Sequence, residues 1–131
     1  MSGESELARV ALVCLGGALG SGLRYLTAVA SVRLYGDAFP WGTLAVNLAG
    51  CFLIGFVNRV AATPLLSEPT RLLLSTGVMG GLTTYSAFSY ESVRLAQVGN
   101  WRGAATNVIV TTVASLALCV AGMLVGARLE R

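Results

Sequence analysis

The sequence predicts an all-α polytopic membrane protein: a single membrane domain over residues 1–131 with four transmembrane helices, the third broken near its middle. Three observations carry this. Hydrophobic residues make up 55% of the chain and charged residues only 11%, against about 25% charged in an ordinary soluble domain. Four uncharged stretches are long enough, or nearly so, for the ~20 helical residues that cross a ~30 Å hydrocarbon core. The connections between them leave no room for a soluble domain. The 16 glycines are too many for a simple soluble helical bundle of this length. The same figures exclude a disordered chain, a nucleic-acid-binding domain and a secreted disulfide scaffold.

The first span is expected over 7–30. Arg9 and Arg24 bracket the uncharged run 10–23, and Tyr25–Val32 continue it, so it crosses with Arg24 at or near the interface. The leading Met-Ser-Gly-Glu-Ser-Glu is acidic, a poor start for a signal peptide, so this run is read as retained. The second span, 39–60, contains the 21 uncharged residues Ala38–Asn58, and the fourth, 102–127, the 25 residues Gly103–Ala127. The third, 71–96, holds the 19 residues Leu72–Tyr90. Gly36, Asp37 and Pro40, then Pro64 and Pro69, then Gly99 and Asn100 punctuate the three connections. Trp41 and Trp101 stand at helix starts, where amphipathic rings favour the headgroup region.

All nine basic residues are arginine, scattered singly, and there is no histidine. The commonest metal ligand and general base is therefore missing, and the chain is not expected to be an enzyme. Cys14, Cys51 and Cys119 each sit alone in an apolar run and read as small buried hydrophobes. With four spans, one membrane face carries Arg9, Arg59, Arg71, Arg128 and Arg131, and the other Arg24, Arg33, Arg94 and Arg102. Orientation follows arginine and lysine asymmetry, and five against four is almost no instruction. Two readings stay open on charge alone: insertion both ways up, giving an antiparallel dimer, or one weakly biased orientation.

The third run is unusually polar: Ser75, Thr76, Thr83, Thr84, Ser86 and Ser89 accompany Gly77, Gly80 and Gly81. Paired glycines and stiff threonines make Gly80–Thr84 a poor helical segment. A break there frees main-chain groups that are tolerated only in a protein interior or a watery cavity, the setting in which broken helices build ion sites. Close packing of small residues is the alternative. Tyr85 and Phe88 share a helix face, as a packing stripe or as ring edges facing an anion. Asn107, Thr111 and Ser115, spaced i, i+4, i+8, form one polar stripe on the fourth helix, for interhelical hydrogen bonding or a hydrated path. Asn47 brings an amide deep into the second span. No acid lies clearly inside a span, except that Glu91 ends the third. Neutral donors with arginines at the edges favour passive movement of a small anion over coupled transport of cations.

These residues resemble the Fluc (CrcB) family of fluoride channels along nearly the whole chain. The string Gly77-Val-Met-Gly-Gly-Leu-Thr-Thr-Tyr-Ser-Ala-Phe-Ser-Tyr-Glu91 is similar to the family signature G-x-x-G-G-x-T-T-F-S-T-F-S-x-E. Trp41-Gly-Thr-Leu-Ala-Val-Asn-Leu-Ala-Gly50 resembles W-G-T-x-x-V-N-x-x-G, and Gly20-Ser-Gly-Leu-Arg-Tyr25 resembles G-x-x-x-R-Y. Three motifs in order on the right spans make the match specific. The resemblance implies a dual-topology homodimer in a cell (inner) membrane, with two antiparallel fluoride pores. It also implies a structural sodium ion, not transported, on the two-fold axis. The main-chain carbonyls of Gly80 and Thr83 would hold that ion. Phe88 and Tyr85 fall on the two phenylalanines that face fluoride, Asn47 on the pore asparagine and Arg24 on the vestibule arginine. Ser86, Thr84, Thr111 and Ser115 would form the polar track. Tyr85 for Phe and Ala87 for Thr are departures from the signature, and Asn107 is left without a family role.

The expected activity is passive, fluoride-selective export that lowers cytoplasmic fluoride. A small multidrug-type proton-coupled antiporter is the alternative. It shares the size and topology but needs an embedded carboxylate. A non-transporting assembly subunit is a third class.

Overall fold

The computed structural model describes residues 3–130, and every regular element in them is helical. Met1, Ser2 and Arg131, the last of which entered the charge count, lie outside the described residues. Helix α1 spans Gly3–Tyr35 and α2 spans Trp41–Val60. Residues 68–82 form α3, built of Glu68–Arg71, a wider π-wound stretch Leu72–Met79 and Gly80–Leu82. Then come α4, Tyr85–Gln97, and α5, Trp101–Ala127, with a short 3₁₀ turn Arg128–Glu130 after it. Three helices, Ser5–Tyr35, Trp41–Val60 and Trp101–Ala127, are long and apolar enough to cross a bilayer, which makes this a helical membrane protein.

Local chemistry sets the ends of these helices. Ser67 Oγ accepts from Thr70 N at 3.3 Å to start α3, with a proline in its first turn. Asn100 Oδ1 accepts from Gly103 N at 2.9 Å to start α5. Between α4 and α5, Gly99 takes φ +82, a conformation that favours glycine, and lets Asn100 N reach Leu95 O at 2.9 Å. The first helix runs beyond its expected span of 7–30 at both ends, while α2, whose 18-residue window is the most buried of the three, is the central helix.

Helices in lipid gain little from the hydrophobic effect and associate by close packing and hydrogen bonds. Close packing governs α1 against α3. A Cβ on Gly20 would stand 2.1 Å from Val78 O, and one on Gly81 would stand 2.4 Å from Gly17 O, so the two backbones touch. The pair α2 and α5 meets the same way, since a Cβ on Gly122 would lie 2.0 Å from Phe52 O. At the far end Arg9 pairs with Glu68 and ties the start of α1 to the start of α3.

The third apolar run of the sequence is divided between α3 and α4. Thr83 (φ −81, ψ 154) and Thr84 (φ −153, ψ 116) are extended between them. Within the segment Gly80–Thr84, where the break is expected, the glycine pair remains helical and the interruption falls at the two threonines. The hydrogen bonds explain this. The Thr83 N–H and hydroxyl both donate to Met79 O, at 3.0 and 2.9 Å, which closes α3. The next backbone group, Thr84 N–H, turns away to a side chain of α2.

Candidate functional site

That side chain is Asn47, buried on α2. Its Oδ1 accepts from Thr84 N at 2.7 Å and its Nδ2 donates to Thr84 O at 3.0 Å. One amide thus satisfies both main-chain groups of Thr84, and uses one of its two N–H bonds in doing so. Thr84 then caps the new helix. Its Oγ1 accepts from Ala87 N at 3.1 Å and lies 3.1 Å from Ser86 Oγ.

The break has a further consequence for the main chain. In an uninterrupted α-helix the N–H of Thr84 would serve the carbonyl of Gly80, and that of Ala87 the carbonyl of Thr83. Both donors are diverted, to Asn47 and to Thr84 Oγ1. Gly80 is exposed in the single chain, and a Cβ there would meet nothing within 4 Å.

Beside the break a cleft of about 330 Å³ opens between α2, α4 and α5. Asn47, Thr83, Thr84, Tyr85, Phe88, Thr111 and Ser115 line it, together with Cys51, Thr112 and Leu116. No charged side chain is among them. Phe88 is buried at 8% exposure while Tyr85 stands out at 80%, their ring centroids 5.4 Å apart and tilted by 53°. Three positions predicted for the site, Gly80 among them, lie apart from this lining. Ser86 reaches it only through Thr84. Arg24 is half-buried on α1 and does not line the cleft.

Sequence reasoning missed Ser92 and Thr43. Ser92 is buried on α4. Its hydroxyl donates to Phe88 O at 2.7 Å and accepts from Asn107 Nδ2 at 2.9 Å. Thr43 donates to Glu91 Oε1 at 2.7 Å, within a second cavity of about 410 Å³ at the Trp41 end of α2. The position of Ser92, one turn beyond Phe88 on the same face, was the available signal. Among the described residues no cluster of three or more acidic or cysteine side chains is suited to hold a metal ion.

Comparison with known proteins places this geometry in context. The model of the CrcB-like protein family, Camphor Resistance (CrcB), matches residues 11–123. The fluoride-specific ion channel FluC of Anaeromyxobacter dehalogenans is 45% identical over 119 residues, which is 90% of this chain and 94% of that protein. That of Agrobacterium fabrum is 47% identical over 121 residues, 92% of this chain and 97% of that one. That of Geobacter sulfurreducens is 48% identical over 111 residues, 84% and 86% respectively.

Proposed function

The chain belongs to the CrcB family, whose relatives above are ion channels and not enzymes, and from that premise we propose that it conducts fluoride passively out of the cell. The observation that carries the reading is the lining of the cleft beside the break: an amide, hydroxyls and two aromatic rings among apolar side chains, with no ionised group. Fluoride is small and holds its water strongly. A pore must offer replacement donors without a charge deep enough to trap the ion. The second N–H of Asn47, the hydroxyls of Thr84, Thr111 and Ser115, and the positive edge of Phe88 supply such donors. The Thr111 hydroxyl rests on Asn107 Oδ1 at 3.3 Å, a long bond that a passing anion can replace. Arg24 raises the anion concentration near the mouth without standing in the cleft. Tyr85 and Ser86 complete the track on the exposed side of α4.

The functional unit is an antiparallel homodimer in the cell (inner) membrane, with a structural sodium ion on its axis. Gly80 and Thr83 would hold the ion through their carbonyls, two from each copy. The regular helical donors of both carbonyls are diverted at the break, and oxygen ligands suit a hard cation. When bound, sodium supplies positive charge that offsets the dipoles of the converging carbonyls. The exposed Gly80 with open space around it favours a second copy as its cover. A proton-coupled antiporter would need a carboxylate in the cleft. Glu91 does not line it and is bonded to Thr43 elsewhere.

Asn47→Asp tests the reading. It keeps the acceptor for Thr84 N but places negative charge in the anion path. Fluoride release from liposomes carrying this variant is expected to stop, and undiminished release removes Asn47 from the path.

A further inference from the structure

Asn107 is the one large side chain among the described residues with almost no exposure, 1%. Burying an amide of this kind is costly unless its hydrogen bonds are made. Its partners form a chain. Thr111 Oγ1 donates to Asn107 Oδ1 at 3.3 Å, Asn107 Nδ2 donates to Ser92 Oγ at 2.9 Å, and Ser92 Oγ donates to Phe88 O at 2.7 Å. The chain begins and ends on residues that line the cleft beside the break, yet its two middle members, Asn107 and Ser92, do not line it. We infer that Asn107 and Ser92 are a positioning pair, which fixes the Phe88 ring at a set depth and rotation against the Thr111 hydroxyl.

The geometry gives this chain more work than a generic helix contact would. Asn47 holds α4 at Thr84, where the helix begins, and nothing in that bond fixes how α4 turns beyond its first turn. Phe88 is one turn further on, and its carbonyl is reached only through Ser92. Thr43 ties α4 to α2 again at Glu91, and the bond between Asn107 and Ser92 is the one that ties it to α5. With it removed, α4 is still capped and still joined to α2 at Thr84 and Glu91 but loses its hydrogen bond to α5, and Phe88 shifts relative to Thr111. The same chain holds the Thr111 hydroxyl by its weakest link, so Asn107 also sets where that rotor rests.

The inference depends on the fluoride-channel reading, and the test separates the two. Wild type, Asn107→Leu, Ser92→Ala, the double variant and Ser92→Thr are reconstituted at less than one dimer per liposome, and fluoride release is followed with an ion-selective electrode. The total fraction released counts the liposomes that hold a working channel. The initial rate reports conduction through each one. Loss of folding lowers the fraction, whereas displacement of Phe88 lowers the rate. Asn107→Leu and Ser92→Ala are each expected to lower the rate at least tenfold at unchanged fraction. The double variant should lose no more than either single one, since both cut the same chain. Ser92→Thr, which keeps the hydroxyl, should restore most of the rate. Ser92→Ala is the milder cut and decides the matter where Asn107→Leu lowers the fraction. Wild-type rates in Ser92→Ala, or losses that add in the double variant, overturn the pair. Failure of the wild type to release fluoride overturns the channel reading instead.

Discussion

The two helices into which the third apolar run divides, α3 and α4, are held in opposite ways. Helix α3 lies against α1 backbone to backbone, with Gly20 and Gly81 at the closest approaches. Helix α4 is held by side-chain amides and hydroxyls, Asn47 to Thr84 and Asn107 through Ser92 to Phe88. The difference separates support from function. Glycine contacts fix α3 as a rigid anchor that ends at a defined residue. The polar contacts of α4 gather donors along one cleft and satisfy the main-chain groups of Thr84 at the break. A site of this kind needs an unbonded stretch of main chain, and a stretch of that kind survives in lipid only beside a firm support.

The largest effect belongs to the dry half. Gly20→Val places side-chain atoms where Val78 O and Leu82 N stand, 2.1 and 2.7 Å from the Cβ position. Backbone cannot yield there as a side-chain tip would. The cost is expected at or above the ~1–3 kcal/mol typical of overpacking, read as loss of the monodisperse peak in detergent and a lower melting temperature. Next comes Asn47→Ala. It strands both main-chain groups of Thr84, at about 1–3 kcal/mol each for buried unsatisfied groups, so the melting temperature falls and fluoride release is lost together. Equal stability of this variant and wild type would mean that the break is not held by the amide.

Phe88→Ile comes third. It keeps an apolar side chain of similar reach, so the melting temperature should change little, while fluoride release falls at least tenfold. Normal release would return Phe88 to a packing role. The smallest effect on the subunit itself is expected from Gly80→Ala, whose added methyl meets nothing within 4 Å. For the proposed dimer, a loss of the dimer peak on size-exclusion chromatography in this variant therefore measures contact with a second copy. An unchanged dimer would place Gly80 away from the partner and from sodium.

Much of this arrangement can be read from the chain alone. Charge-free runs bounded by arginine locate the long helices, and Trp41 and Trp101 mark two of the starts. The polar density of the third run locates the interruption to within a few residues. Its placement at Thr83 and Thr84 rather than at the glycines is less legible. It depends on Asn47, 37 residues away in sequence, offering Thr84 a better partner than the helix does. The bond from Asn107 to Ser92 is hidden for the same reason, because it joins two helices across 15 residues and a turn. The π-wound stretch Leu72–Met79 has no signature in its composition, which is that of an ordinary apolar helix. Helical periodicity groups side chains on a face but does not say which face of a neighbour they meet.

The central claim is that this cleft passes fluoride downhill and excludes a larger halide. It is tested most directly by loading liposomes with potassium fluoride and potassium chloride together, adding a potassium ionophore to carry the compensating charge, and following both anions in the external solution with selective electrodes. Rapid fluoride release with chloride retained is the predicted result. Fluoride release no faster than from protein-free liposomes, or equal release of both anions, would contradict it.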